Sequence, residues 1–116
     1  MRYACDVEAL AALADPVRRE LVGLLARRGE LAAGELAARF PVSRPAISRH
    51  LRVLREAGLV TARAEGKRRL YALDPAPLRE IDDWLEPYRD LWARRLDALD
   101  TEIARGRRAR RTGDDA

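Results

Sequence analysis

Ser43-Arg44-Pro45-Ala46-Ile47-Ser48-Arg49-His50-Leu51-Arg52-Val53-Leu54 carries the pattern from which the expected architecture of the chain follows. Ile47, Leu51 and Leu54 recur at the three- and four-residue spacing of one helix face. Ser43 offers a side-chain oxygen to the free N–H groups of a helix start, and Gly58 offers a stop, so the spacing predicts a helix from Ser43 to Ala57. On this reading Arg44, Ser48, Arg49 and Arg52 occupy the face opposite the apolar stripe. Just upstream, Gly34 to Phe40 reads as a shorter helix with Leu36 and Phe40 inward, ended by Pro41-Val42. Two short helices joined by so tight a turn form a helix-turn-helix, whose second helix is shaped to enter the major groove of DNA.

Working outward toward the N-terminus, Asp15-Pro16 is a strong helix start, because aspartate caps the free amides and proline suits the first turn. That helix should run from Pro16 to about Arg28, bury Val17, Leu21, Leu24 and Leu25, and stop at Gly29. Before it, Asp6 is a candidate cap for a short helix carrying Leu10 and Leu13; after it, Leu31-Ala32 reads as an extended link. Toward the C-terminus, Leu59–Glu65 and Arg68–Leu73 flank Gly66-Lys67 as a hairpin. Asp74-Pro75 repeats the helix start signal, and Leu78, Ile81, Leu85, Tyr88, Trp92, Leu96, Leu99 and Ile103 form one helical stripe beyond it. Pro87 interrupts that stripe, and a mid-helix proline costs about 3 kcal/mol, which predicts a kink or break between Trp84 and Pro87. The expected fold is mostly α with a small β-hairpin: a winged helix-turn-helix, dimeric, forming one domain over 6–104, with a disordered basic tail over 105–116.

The net charge of +4 matters less than its distribution. Arg39 to Tyr71 carries nine basic residues and two acids, a balance of +7; Arg105 to Ala116 adds +3; the remainder carries −6. A basic block between acidic flanks is the footprint of a nucleic-acid face, against the alternative of a merely solvated charged surface. Cys5 is the only cysteine, which excludes an intramolecular disulfide and any multi-thiolate metal site and suits a reducing compartment. No apolar run is long enough to span a bilayer and no secretory leader opens the chain, so the reading expects a soluble, cytoplasmic protein without membrane contact. One histidine and one cysteine, far apart, with no glycine-rich phosphate loop, leave no catalytic constellation.

Several of these stretches are similar to a known family. Ala11-Ala12-Leu13-Ala14-Asp15-Pro16-Val17-Arg18-Arg19-Glu20-Leu21 resembles the opening of the ArsR/SmtB-type bacterial repressors. The Ser43–Leu54 stretch resembles their recognition helix, and it is followed, as in that family, by Ala57-Gly58-Leu59-Val60 and by a stretch that resembles their wing, Glu65-Gly66-Lys67-Arg68-Arg69-Leu70-Tyr71. The resemblance covers about Leu10 to Leu73, and the spacing of Trp84, Tyr88 and Trp92 resembles the SdpR-like branch, whose members generally lack metal ligands. It implies a homodimeric repressor on a pseudo-palindromic operator. Metal-sensing members carry a Cys-x-Cys pair before the recognition helix or histidine and carboxylate ligands on the terminal helix. Here Gly34-Glu35-Leu36-Ala37-Ala38-Arg39-Phe40 has no thiol and the terminal helix no histidine, while adjacent Asp82 and Asp83 diverge by about 100°. No metal and no cofactor is expected.

The candidate DNA-binding residues are therefore Ser43, Arg44, Pro45, Ser48, Arg49, His50 and Arg52 on the helix-turn-helix and Arg63, Lys67, Arg68 and Arg69 on the wing. Arginine can read guanine bidentately, serine can reach bases or phosphates, and the wing bases suit phosphates or the minor groove. Alternation sends Arg68 and Leu70 to one side of the strand and Arg69 and Tyr71 to the other, so not all can touch DNA. For His50 a structural hydrogen bond and a backbone contact both remain open. The candidate dimer residues are Leu10, Leu13, Leu78, Ile81, Trp84, Leu85, Tyr88, Trp92, Leu96, Leu99 and Ile103. The terminal aromatics serve as dimer core or as a pocket for a small effector of unknown identity. The alternative functions are a protein–protein interaction module and a regulator responsive to an effector or to redox at Cys5.

Overall fold

A computed structural model describes the backbone of residues 2–114 and the side chains of residues 7–107. The elements, in chain order, are α1 (Arg2–Ala12), α2 (Pro16–Arg28), β1 (Leu31–Ala32), α3 (Ala33–Ala37), α4 (Arg44–Glu56), β2 (Val60–Glu65), β3 (Arg68–Leu73) and α5 (Ala76–Asp114). The chain divides into two compact units, one up to Ile81 and one from Asp82. The terminal stripe, expected to share a single domain with the helix-turn-helix, thus lies largely in a unit of its own.

The core of the first unit is made of fully buried Leu21 and Leu25 from α2, Leu36 from α3, Ile47, Leu51 and Leu54 from α4, and Leu59. Each such side chain stabilises the fold by roughly 1.5–3 kcal/mol relative to an exposed position. Local signals aim these faces. The Asp15 carboxylate accepts from the Val17 and Arg18 amides at 2.8 and 3.1 Å, which starts α2 at Pro16. Ser43 Oγ accepts from the Ala46 amide at 3.2 Å and starts α4. At the end of α4 the Leu59 amide reaches the Leu54 carbonyl at 2.9 Å and the Gly58 amide reaches Arg55 at 3.0 Å. These two bonds, with Gly58 at φ +78°, form a Schellman motif, and its apolar clasp is the buried pair Leu54 and Leu59. Leu59 is occupied in that motif, so β2 begins at Val60.

Several boundaries differ from the sequence expectations. Residues 2–6 are helical, so Asp6 lies inside α1 and not at its start. Helix α3 ends at Ala37, because the Arg39 and Phe40 amides turn back to Leu36 and Ala37 in tight three-residue steps before Pro41. The wing is not a bare hairpin: β1 adds a third antiparallel strand in the order β1-β3-β2, with Leu31 opposite Tyr71 and Ala32 opposite Leu70. In the hairpin Glu65 faces Arg68, and Gly66 has φ +62° while Lys67 does not share the positive φ. That is the pattern of a type II′ turn, whose twist matches the strands.

Helix α5 starts at Ala76, whose amide donates to the Asp74 carboxylate at 3.0 Å. Leu78 and Ile81 pack half-buried against the core of the first unit. In the second unit the helix passes through Pro87 without a break, so of the expected kink or break the break does not occur. A guanidinium braces that turn: Arg89 donates to the carbonyl and carboxylate of Asp82 and, at 3.2 Å, to Glu86. The helix also continues from Arg105 to Asp114, where disorder was expected. Alanine and arginine are strong helix formers, and missing apolar periodicity removes tertiary packing, not backbone propensity.

Candidate nucleic-acid interface

Because Ile47, Leu51 and Leu54 are held in the core, the opposite side of α4 must face outward. Arg49 and Arg52 stand on it, with Pro45 and Ser48 exposed beside them. Arg44 does not belong to that opposite face: it precedes Leu51 by two helical turns and shares its side of the helix. It is exposed because it stands at the first helical position, beyond the core and beside Gly34, where an added Cβ would lie 3.8 Å from its Nη2. Arg44, Arg49 and Arg52 make no hydrogen bond or ion pair with any described residue. Three charged forks are therefore free at the start and along the outer face of this helix.

His50 is turned away from them. Its half-buried ring presents Nδ1 to Arg18 Nη1 at 3.5 Å, and Arg18 is anchored in turn by its Nε donating to the Ala12 carbonyl at 2.5 Å. A guanidinium only donates, so this contact uses Nδ1 as acceptor in the neutral ring. Of the two roles open to His50, the geometry matches the structural one, a tie from α4 to the corner between α1 and α2. Asp15 lies in the same corner. The Arg18 backbone N–H holds its carboxyl below the usual carboxylate range.

The wing divides its four bases into two pairs. Arg63 is spent inside the molecule: its Nε and Nη2 donate to the two oxygens of Glu30 at 2.7 and 2.6 Å, and Nη2 also lies 3.2 Å from Glu65. The bond from Arg63 lowers the Glu30 carboxyl, and the carboxylate raises the Arg63 guanidinium in return. Arg68 Nη2 donates to Glu35 Oε1 at 2.5 Å. Lys67 and Arg69 have no partner among the described residues. Both acids escaped the sequence reading, since each lies 33 residues from its base. The pairing of β1 with β3 brings them there, and a two-residue strand leaves no periodicity to detect. Between α3, the start of α4 and the wing tip lies an open cleft of about 500 Å³, bordered by Gly34, Glu35, Arg44, Lys67, Arg68 and Arg69.

The residues expected at a dimer interface also sort into two groups. Leu13, Leu78 and Ile81 pack against the core of their own unit, and Leu85 is half-buried. Leu10 on α1 is exposed, as are Trp84, Tyr88, Trp92, Leu96, Leu99 and Ile103 on α5, with Trp92 at 50% and Leu96 at 61%. Val7 and Leu91, not singled out from the sequence, join them. The Trp84 and Tyr88 rings meet at 5.5 Å between centroids, tilted by 52°. Among the described residues no three of His, Cys, Asp and Glu gather as metal ligands would. Cys5 lies outside the described side chains.

A helix-turn-helix domain family matches residues 13–63, the span from the end of α1 into β2. The HTH-type transcriptional regulator Rv2034 of Mycobacterium tuberculosis is 48% identical over 94 residues, covering 81% of this chain and 84% of that protein. The transcriptional repressor SdpR of Bacillus subtilis is 34% identical over 64% of this chain and 81% of its own length. Among solved structures, an ArsR-like transcriptional regulator from Rhodococcus sp. RHA1 superposes with a TM-score of 0.67 at 38% identity, covering 84% of this chain and 91% of that one. With the recognition helix, the wing and this coverage together, the chain belongs to the ArsR-type family of winged helix-turn-helix transcriptional regulators.

Proposed function

We propose that the protein is a transcriptional repressor that binds double-stranded DNA as a homodimer on a pseudo-palindromic operator. The observation that carries this reading is the trio Arg44, Arg49 and Arg52, unpaired at the start and along the outer face of α4 beside an equally unpaired Lys67 and Arg69. An arginine fork in the major groove reads guanine O6 and N7, while wing bases hold the backbone. Ser43 and Ser48 add contacts at the groove edge. The exposed apolar residues of α1 and of α5 beyond Asp82 would be covered by a second copy, setting two recognition helices about 34–36 Å apart. Occupancy of the operator then blocks transcription, with no catalysis by the protein. None of the described helices is long and apolar enough to cross a membrane, and DNA as ligand fits work in the cytoplasm.

Selection of bound fragments from random duplex DNA tests the reading. Enrichment of an inverted repeat with half-sites one helical turn apart is expected, and recovery of no motif would overturn it. A second expectation concerns metals. Zinc, cadmium, nickel and arsenite should not release the selected fragment at stoichiometric levels, since the described residues assemble no thiol or imidazole cluster. Release by any of them in an anisotropy titration would reveal a ligand set, Cys5 of two subunits included.

A further inference from the structure

We propose that the cleft between α3, the start of α4 and the wing is a seat for one backbone phosphate of DNA, and that the Glu35 carboxylate occupies it in the free protein. The inference rests on the DNA-binding reading and adds a regulator to it. Arg44, Lys67, Arg68 and Arg69 border the cleft, and only Arg68 has a partner. That partner is itself fixed. Glu35 Oε1 accepts both the Ala32 amide at 3.2 Å and Arg68 Nη2 at 2.5 Å, so the carboxylate is held at the cleft by two donors from different elements.

Side-chain exposure of 61% for Arg68 and 48% for Glu35 keeps the pair wet, where an ion pair is worth little and exchanges readily. A DNA phosphate presents the same ligand to Arg68, an anionic oxygen, with three further cations around it that Glu35 does not use. On binding, Arg68 trades carboxylate for phosphate and the carboxylate returns to water. Glu35 is thus a built-in competitor that weakens phosphate contact at every sequence equally, leaving discrimination to α4. A unit negative charge about 6 Å from a phosphate in water changes affinity by about threefold, and release of Arg68 adds to that.

The test uses a fluorescein-labelled 30-base-pair duplex of random sequence, because phosphate contacts are independent of sequence. Its affinity for the full chain is measured by anisotropy from 50 to 200 mM salt. Glu35→Gln keeps the oxygen that accepts the Ala32 amide and removes only the charge. It should bind three- to tenfold tighter at low salt, with the gain shrinking as salt rises. In an Arg68→Ala background the same change should yield twofold or less. Unchanged or weaker binding by Glu35→Gln, with a wild-type melting temperature, overturns the proposal. Glu35→Ala checks the sign by a second route: it also loses the Ala32 bond, and tighter binding despite that loss supports the seat, whereas weaker binding by both variants means that Glu35 positions the wing. An Arg49→Ala/Arg52→Ala variant separates the two levels of inference. If it weakens binding while Glu35→Gln does nothing, only the seat falls; if the wild-type chain shows no salt-dependent binding, both fall.

Discussion

Arg49 and Arg52 illustrate how much a single exposed side chain can be asked to do. Each stands opposite the buried face of α4 without an intramolecular partner, so removing either costs the fold almost nothing. Arg49→Ala should leave the melting temperature within a degree or two and reduce discrimination for the selected operator by about 1–3 kcal/mol, read as the ratio of operator to random-duplex affinity. A loss of affinity equal on both duplexes would reassign Arg49 to the backbone. Asp15 and Glu30 carry the opposite kind of role. Their carboxyls are lowered in the folded state, Asp15 by the Arg18 backbone N–H and Glu30 by the bond from Arg63. A lowered folded pKa means stability that is present above the unfolded values, about 3.9 for aspartate and 4.3 for glutamate, and lost as pH falls through the folded ones. Urea midpoints should therefore hold from pH 7 to about 5 and decline below about 4. Asp15→Asn, which still caps, should flatten part of that decline, and an unaltered acid limb would remove Asp15 from the account.

At the scale of an element, the wing behaves as two separate charge groups on one hairpin. Register places Arg63, Glu65 and Arg68 on the side of Leu70, where Glu30 and Glu35 meet them, while Arg69 shares the side of Ala64 and Tyr71. Lys67→Ala and Arg69→Ala should each flatten the dependence of log affinity on log salt by about 0.9. Arg63→Ala should leave that slope unchanged, because its guanidinium already holds two carboxylates in the free protein. A slope lost with Arg63 would mean that the ion pair opens on DNA. Helix α4 is the complementary case, an element whose caps and apolar face are all supplied locally: Ser43 at one end, the Gly58 turn at the other, and Ile47, Leu51 and Leu54 between. Both its ends and its buried face are therefore fixed by local signals, the kind of support that reading base edges requires.

On the scale of the whole molecule, the exposed apolar surface is the feature that a lone chain leaves uncovered. Monomers seldom expose a contiguous apolar patch of the size that Trp84, Tyr88, Leu91, Trp92, Leu96 and Leu99 present along α5. In the proposed dimer a twofold mate would cover such a face; on α1, Val7 and Leu10 are exposed as well. Trp92→Ala with Leu96→Ala should shift sedimentation toward the monomer and weaken operator binding in parallel, although neither residue faces DNA in the proposed complex. A folded monomer that binds the full operator with wild-type affinity would contradict the dimer.

Much of what contacts within about four residues govern was legible in the sequence alone. The faces of α2 and α4, the caps at Asp15 and Ser43, the stop at Gly58, the glycine turn at Gly66 and the outward Arg49 and Arg52 of α4 follow from local spacing and backbone chemistry and are found where that chemistry puts them, whereas Arg44 stands on the side of Leu51. The remainder depends on which distant segments meet in the folded chain. Leu13, Leu78 and Ile81 turn inward because the core has room for them, a matter of volume and not of periodicity. His50 meets Arg18 across 32 residues, and Glu30 and Glu35 neutralise Arg63 and Arg68 across 33, because β1 pairs with β3. A charge read from sequence is free until a fold gives it a partner, and in this wing the fold leaves two of four bases unpaired for DNA.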